Sequence, residues 1–155
     1  MPANGQIGSG VKIAYSLDAS PQTWTAVPEI FDVTQLPNRI RDRVETTIHG
    51  TTADRTYIPG LSDVEDLVFV CRANLDAGSV HSTLRGYQNS QTTLWMRVEV
   101  PVDVDLTTTT YIAYQFKGRI SAAPVSAPKD DLKTIEFTIL HESDLFIQDE
   151  MASAF

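Results

Sequence analysis

Three segments in the second half of the chain alternate apolar and polar side chains with a period of two. In residues 93–105, Met96, Val98, Val100, Val102 and Val104 alternate with Arg97, Glu99, Pro101, Asp103 and Asp105. In 109–120, Ile112, Tyr114, Phe116 and Ile120 stand opposite Ala113, Gln115, Lys117 and Arg119. In 132–141, Ile135, Phe137 and Ile139 alternate with Thr134, Glu136 and Thr138. That period puts one row of each segment on one face of a strand and the other row on the opposite face. A chain with three such segments must build a sheet with an apolar side to cover. Pro101 falls in the polar phase, which points to an edge or a bulge.

Weaker strand signals precede these. Val11, Ile13, Tyr15 and Leu17 alternate with Lys12, Ala14 and Ser16. A turn at Ser20-Pro21-Gln22 and a second strand over 23–27 complete a predicted hairpin. Asp66 to Arg72 is apolar on both faces and reads as a central strand. One helix stands out: Ser79 is placed as its N-cap, and Val80, Leu84 and Tyr87 form a stripe at i, i+4 and i+7. Asn89-Ser90 ends it. Gly86 inside it costs up to about 1 kcal/mol against alanine, so the helix depends on packing. The sum is about seven strands and one flanking helix (about residues 79–89). That is a mainly β chain folded as a β-sandwich or barrel.

Residues 28–43 do not fit this scheme. Pro28 and Pro37 remove ladder donors, and Asn38 to Arg43 is dense in charge. A strand is expected over 44–49, with Val44, Thr46 and Ile48 on one face. Residues 49–54 read as a polar turn, 55–58 as extended, and Pro59-Gly60 as a turn. Residues 38–58 are therefore a long polar excursion with little core of its own, suited to ordering by a neighbouring subunit. The glycine-bearing residues 1–10 read as a flexible arm and 145–155 as a short tail. The length of 155 residues fits one domain.

The charge excludes several functions. Twenty acidic against twelve basic residues give a net charge of -8. Such a surface repels nucleic acid and anionic membranes at long range. A protein that grips phosphates needs a basic stripe. Arg39, Arg41 and Arg43 form the one basic cluster, and Asp42 interrupts it. Cys71, the single cysteine, lies in an apolar run and reads as a buried side chain. The first residues have neither a basic n-region nor an apolar h-region, so they do not read as a signal peptide. No apolar run approaches the roughly 20 residues of a membrane span.

No catalytic constellation is present. There is no phosphate loop, and Gly8-Ser9-Gly10 precedes a strand rather than a helix. His49, His81 and His141 are far apart, and the position where a zinc-protease motif beginning at His141-Glu142 needs its second histidine is Leu145. Asp103 with Asp105, and Asp63 with Glu65 and Asp66, lack the spacing of a calcium loop. No Gly-x-Ser-x-Gly elbow exists. The sequence predicts no enzyme, no cofactor and no metal site.

The segment Arg55-Thr56-Tyr57-Ile58-Pro59-Gly60-Leu61-Ser62-Asp63, followed by Asp66-Leu67-Val68-Phe69, resembles a stretch of siphophage major tail tube proteins. Glu29 to Thr34 and Val44 to His49 look like the same family, and the likeness runs over roughly residues 10–145. The resemblance implies hexameric rings stacked into a hollow tube, with strands from six subunits lining it. The loop at 38–58 would reach neighbouring copies, with Arg39, Arg41, Arg43, Arg55 and Tyr57 as its contact candidates. The polar rows supply lumen-facing candidates: Arg97, Glu99, Asp103, Asp105, Gln115, Lys117 and Glu136. The implied partners are other copies of the chain, a tape measure protein, tail terminator and distal tail proteins. Double-stranded DNA would pass through without specific binding, and no membrane is involved. The tail would be assembled in the host bacterial cytoplasm and reside in the virion. Two alternatives stand: a related ring protein (tail terminator, baseplate or secretion-system tube), or a monomeric β-barrel that binds a small ligand.

Overall fold

The computed structural model describes residues 10–17, 23–46, 57–102, 110–152 and 154. The side chains of Tyr57, Ser143, Asp144, Glu150 and Met151 lie outside that description. The predicted turn at 20–22, the predicted polar turn at 49–54 and most of the N-terminal arm also lie outside it.

The alternating segments become three neighbouring strands. β7 (Leu94–Pro101) pairs antiparallel with β8 (Thr110–Ala122), and β8 pairs with β10 (Thr134–Ala152). The apolar rows share one face: Met96 lies opposite Phe116, and Ile139 opposite Ile120. The early hairpin joins them. β1 (Lys12–Ser16) pairs with β7 on one side and with β2 (Thr25–Ala26) on the other. On the far side of β10 lies β6 (Leu67–Arg72), where Phe69 pairs with Phe137. β3 (Ile30–Gln35) lies beyond β6, and the short β9 (Val125–Ser126) extends along β10. The sheet therefore has eight strands, in the order β2-β1-β7-β8-β10-β6-β3 with β9 beside β10.

The two ends of this path are consecutive in the chain, and that forces the sheet to roll. The Val27 N–H donates to the carbonyl of Ile13 on β1, and the Glu29 carbonyl accepts from Arg72 N–H on β6, each at 2.8 Å. Two residues of extended chain span at most about 7 Å. Strands β1 and β6, which have β7, β8 and β10 between them, are thus brought together across a seam. Glu29 takes a left-handed backbone conformation there (φ 60°). That geometry is uncommon for a residue with a Cβ.

The helix α1 (Val80–Ser90) covers the apolar inner face. Ser79 caps it by accepting from Ser82 N–H, as predicted, and Gln91 ends it in a left-handed conformation. Leu84 is fully buried, and Tyr87 meets Tyr15 edge-on at 6.0 Å. The core consists of Ile13, Leu67, Phe69, Leu84, Leu94, Met96, Val98, Phe116, Ile120, Ile135, Phe137 and Ile139, with smaller partners around them. Gly118 permits a close approach to β10 within the sheet. A Cβ there would collide with the Leu140 carbonyl oxygen.

Several expectations need correction. β3 is a strand where none was expected. Its bracketing prolines suit an edge strand, and it buries little, with Phe31 and Asp32 in the open. The strand placed at 44–49 begins earlier, as β4 (Arg39–Glu45), and residues 47–49 lie outside the description. Pro59-Gly60 is not a turn. Both residues lie inside β5 (Tyr57–Val64), which pairs with β4 as a separate two-stranded sheet. Arg41 pairs with Ser62 but Arg43 with Pro59, so β5 holds one extra residue at that point. This is a bulge, and bulges accept proline and glycine that a regular ladder rejects. A Cβ at Gly60 would lie 3.1 Å from the Asp42 carbonyl oxygen. The central strand expected at 66–72 has only β3 beyond it. Of the alternating strand expected over 93–105, β7 covers Leu94–Pro101; Val102 lies past its end, and 103–105 lie outside the description. The tail set apart at 145–155 is strand as far as Ala152, paired along β8 through repeated register shifts.

Candidate assembly surface

The β4–β5 hairpin projects from the rolled sheet as an arm. Every described residue of β4 is exposed. Ile40, Val44 and Ile58 are about half exposed, and Leu61 is 93% exposed. A two-stranded ribbon with no buried face is marginal in water. Apolar side chains clustered on it mark a surface made for contact. Phe31, 71% exposed on the edge strand β3, adds another apolar group. The arm is anchored at its root, where Pro37 is buried and Leu36 and Val64 pack against the core. The Glu65 N–H donates to the Asn38 carbonyl at 2.9 Å, and Arg39 Nη2 donates to the Leu145 carbonyl at 3.0 Å.

The arginine candidates divide accordingly. Arg39 is bonded back to the body of its own chain, while Arg41 and Arg43 are exposed along β4. Tyr57 begins β5, and Arg55 lies outside the described residues.

The candidates from the polar rows separate more sharply. Arg97 and Glu99 are buried, at 6% and 0% exposure. Arg97 Nε donates to Glu99 Oε1 at 3.1 Å, and Arg97 Nη1 donates to Gln115 Oε1 at 3.1 Å. The Ala154 N–H donates to the same Glu99 oxygen at 2.8 Å, so the chain's end returns over this face. Burying either charge alone would be costly, and the pair with its added hydrogen bonds offsets that cost. In this chain Arg97 and Glu99 are thus an internal pair, not an open lining. Gln115 and Lys117 are half-buried on β8, and Glu136 is exposed on β10. Asp103 and Asp105 lie outside the described residues.

Two features become visible only in the structure. The exposed apolar row of the arm was legible only once Pro59-Gly60 was seen as strand. The other is His81, fully buried on α1 one turn before Leu84. Its Nδ1 accepts the Asn74 N–H at 3.0 Å. The ring is therefore the tautomer with hydrogen on Nε2, and Nε2 donates to the Pro28 carbonyl at 2.9 Å. His81 pins the helix to the link that crosses the seam. Its spacing of three from Leu84 was the only available signal.

The chemistry of the remaining groups is quiet. Burial, and secondarily the charge of Glu29, pushes the Cys71 thiol up to about 12, which leaves it protonated and unreactive at neutral pH. Burial, then the neighbouring Tyr87, raises Tyr15, and Thr25 offsets this only in part. Among the described residues, no cluster of three or more histidines, cysteines or carboxylates is placed to hold a metal, and no helix is long and apolar enough to cross a membrane.

This fold recurs in solved structures. The tail of an empty GTA particle, refined with C6 symmetry, superposes with a TM-score of 0.68 at 13% identity, over 94% of this chain and 98% of that one. The SPP1 tail tube gives 0.62 at 12% identity, over 93% and 78%. The fold is a tail-tube fold. A chain of the anti-feeding prophage baseplate shares it, with a TM-score of 0.65 at 8% identity over 90% and 92%. No family model matches the sequence, and no curated protein matches it. The tail-tube fold is therefore carried by architecture, with few of the same residues.

Proposed function

We propose that this chain is a structural tail tube subunit of a long-tailed, non-contractile bacteriophage, and that its role is not catalytic. Copies close into hexameric rings, and the rings stack into the hollow tube through which DNA is ejected. The β4–β5 arm carries this reading: a hairpin with an exposed apolar row and no buried face is completed by a second copy. The tail-tube fold supports the same role. In this reading the tube assembles in the host cytoplasm around a tape measure protein and is closed by terminator and distal tail proteins. The acidic net charge of -8 suits a conduit, because a basic lining would hold DNA phosphates and slow their passage.

Negative-stain microscopy of the purified protein, with and without residues 40–56, tests this. The full chain forms long regular tubes, and the shortened chain stays a folded monomer. Single closed rings from the full chain would instead identify a terminator or baseplate role, which the baseplate likeness favours. Tubes from the shortened chain would remove the arm from assembly.

A further inference from the structure

The arm has an apolar row for a partner, and the angle at which it presents that row is set where it leaves the body. Its root is seated by Leu36, Pro37 and Val64. Past the root, the described residues of β4 and β5 are exposed except for the half-buried Gly60 and Val64. The arm leaves the body between Asn38 and Glu65, whose backbones are bonded to each other.

A side-chain bond at that root fixes the angle further. Arg39 Nη2 reaches the carbonyl of Leu145, 106 residues further along the chain, at 3.0 Å. The acceptor sits where the β10 ladder is interrupted. Pairing with β8 shifts register between His141 and Ser143, and again between Ser143 and Phe146. Such a break turns a carbonyl out of the regular ladder and makes it available to a side chain. The Leu145 side chain is buried, so its carbonyl is a fixed post. Arg39 also stands opposite Val64, the last residue of β5, so the bond grips both strands of the arm at their base. A guanidinium donor makes this a charge-assisted hydrogen bond, stronger than a neutral one.

From this geometry we infer that Arg39 is a positioning residue. It latches the arm to the interrupted stretch of β10 and so sets the direction in which the apolar row meets a second copy of the chain. This rests on the assembly reading above, and it assigns Arg39 an intramolecular role there, with Ile40, Val44, Ile58 and Leu61 making the contact. The register breaks in β10 then have a purpose: they present the acceptor.

The test is a distance measurement in the monomer, kept below any assembling concentration. Spin labels go on Ser62→Cys in the arm and Ser126→Cys in the body, both at exposed positions. Cys71 is buried and stays unlabelled. Pulsed electron resonance of the parent gives one narrow distance. In Arg39→Met the distribution broadens, while circular dichroism and thermal unfolding stay as in the parent. Arg39→Lys, which can still donate to the carbonyl, recovers much of the narrow distance. An unchanged distribution in Arg39→Met, or a broad one in the parent, overturns the latch. Where the parent makes tubes, their nucleation slows about tenfold or more in Arg39→Met, the population factor of one charge-assisted hydrogen bond. If the parent makes no tubes, the assembly reading falls, and the distance measurement still decides the latch.

Discussion

The rolled sheet and the β4–β5 arm are both antiparallel β-structure, yet they are stabilised in opposite ways. In the body, each strand gives one apolar row to a common core, and residues such as Phe69, Phe116 and Phe137 are wholly removed from water. In the arm, β4 buries nothing, and the row Ile40, Val44, Ile58 and Leu61 faces outward. Hydrogen-bonded pairing is thus common to both regions, and burial belongs to one. Backbone bonds contribute little net stability because water competes for the same groups. The body therefore folds around its own core, while the arm leaves its apolar row exposed.

Substitutions can break this contrast. The largest effect is expected from Phe137→Ala, which opens a cavity beside Phe69 and His81. Chemical denaturation should read a loss of about 3–5 kcal/mol. Next is His81→Phe, which keeps the ring and removes both hydrogen bonds. It strands the Asn74 N–H and the Pro28 carbonyl at the seam, for a loss of about 1–3 kcal/mol in the same assay.

Alkaline pH sharpens the description of the body. The Cys71 thiol ionises near 9.0 in the unfolded chain but only at about 12 in the folded one. Above pH 9 the unfolded state sheds the proton first, so stability is full below that pH and falls as pH rises toward 12. Comparing unfolding of the parent and Cys71→Ala across that range isolates this contribution, which should be absent from the variant. The smallest effect belongs to the arm. Leu61→Asp should change monomer stability by less than about 0.5 kcal/mol, while preventing tube formation under the microscope. If Leu61→Asp destabilised the monomer as Phe137→Ala does, the arm would belong to the core and the contrast would be false.

Much of the body was legible because its signal is local. The alternation over 93–105, 109–120 and 132–141 named Met96, Val98, Phe116, Ile120, Ile135, Phe137 and Ile139 of the core, although Val102 from the same row is exposed and the bounds of all three strands moved. Ser79 with Val80, Leu84 and Tyr87 gave the helix to within a residue. The arm was half legible. Its polarity marked it as lacking a core, but Pro59-Gly60 read as a turn because a bulge and a turn use the same residues. β3 was missed because an edge strand needs only a few apolar groups.

The sequence by itself determined which side chains of each strong strand share a face and where the helix begins. Those follow from the two-residue and 3.6-residue periods of the backbone, which operate within one element. Only the tertiary structure decided what covers the other face. Arg97 and Glu99 occupy polar positions in an alternating strand, and nothing within that strand distinguishes burial from exposure. Gln115 from β8 and the returning chain at Ala154 close over them. The same holds for the seam, where residues 27–29 join strands that lie far apart in the sheet, and for Arg39, whose partner is 106 residues away. Contacts between distant segments depend on how the elements are stacked, and no local period encodes that.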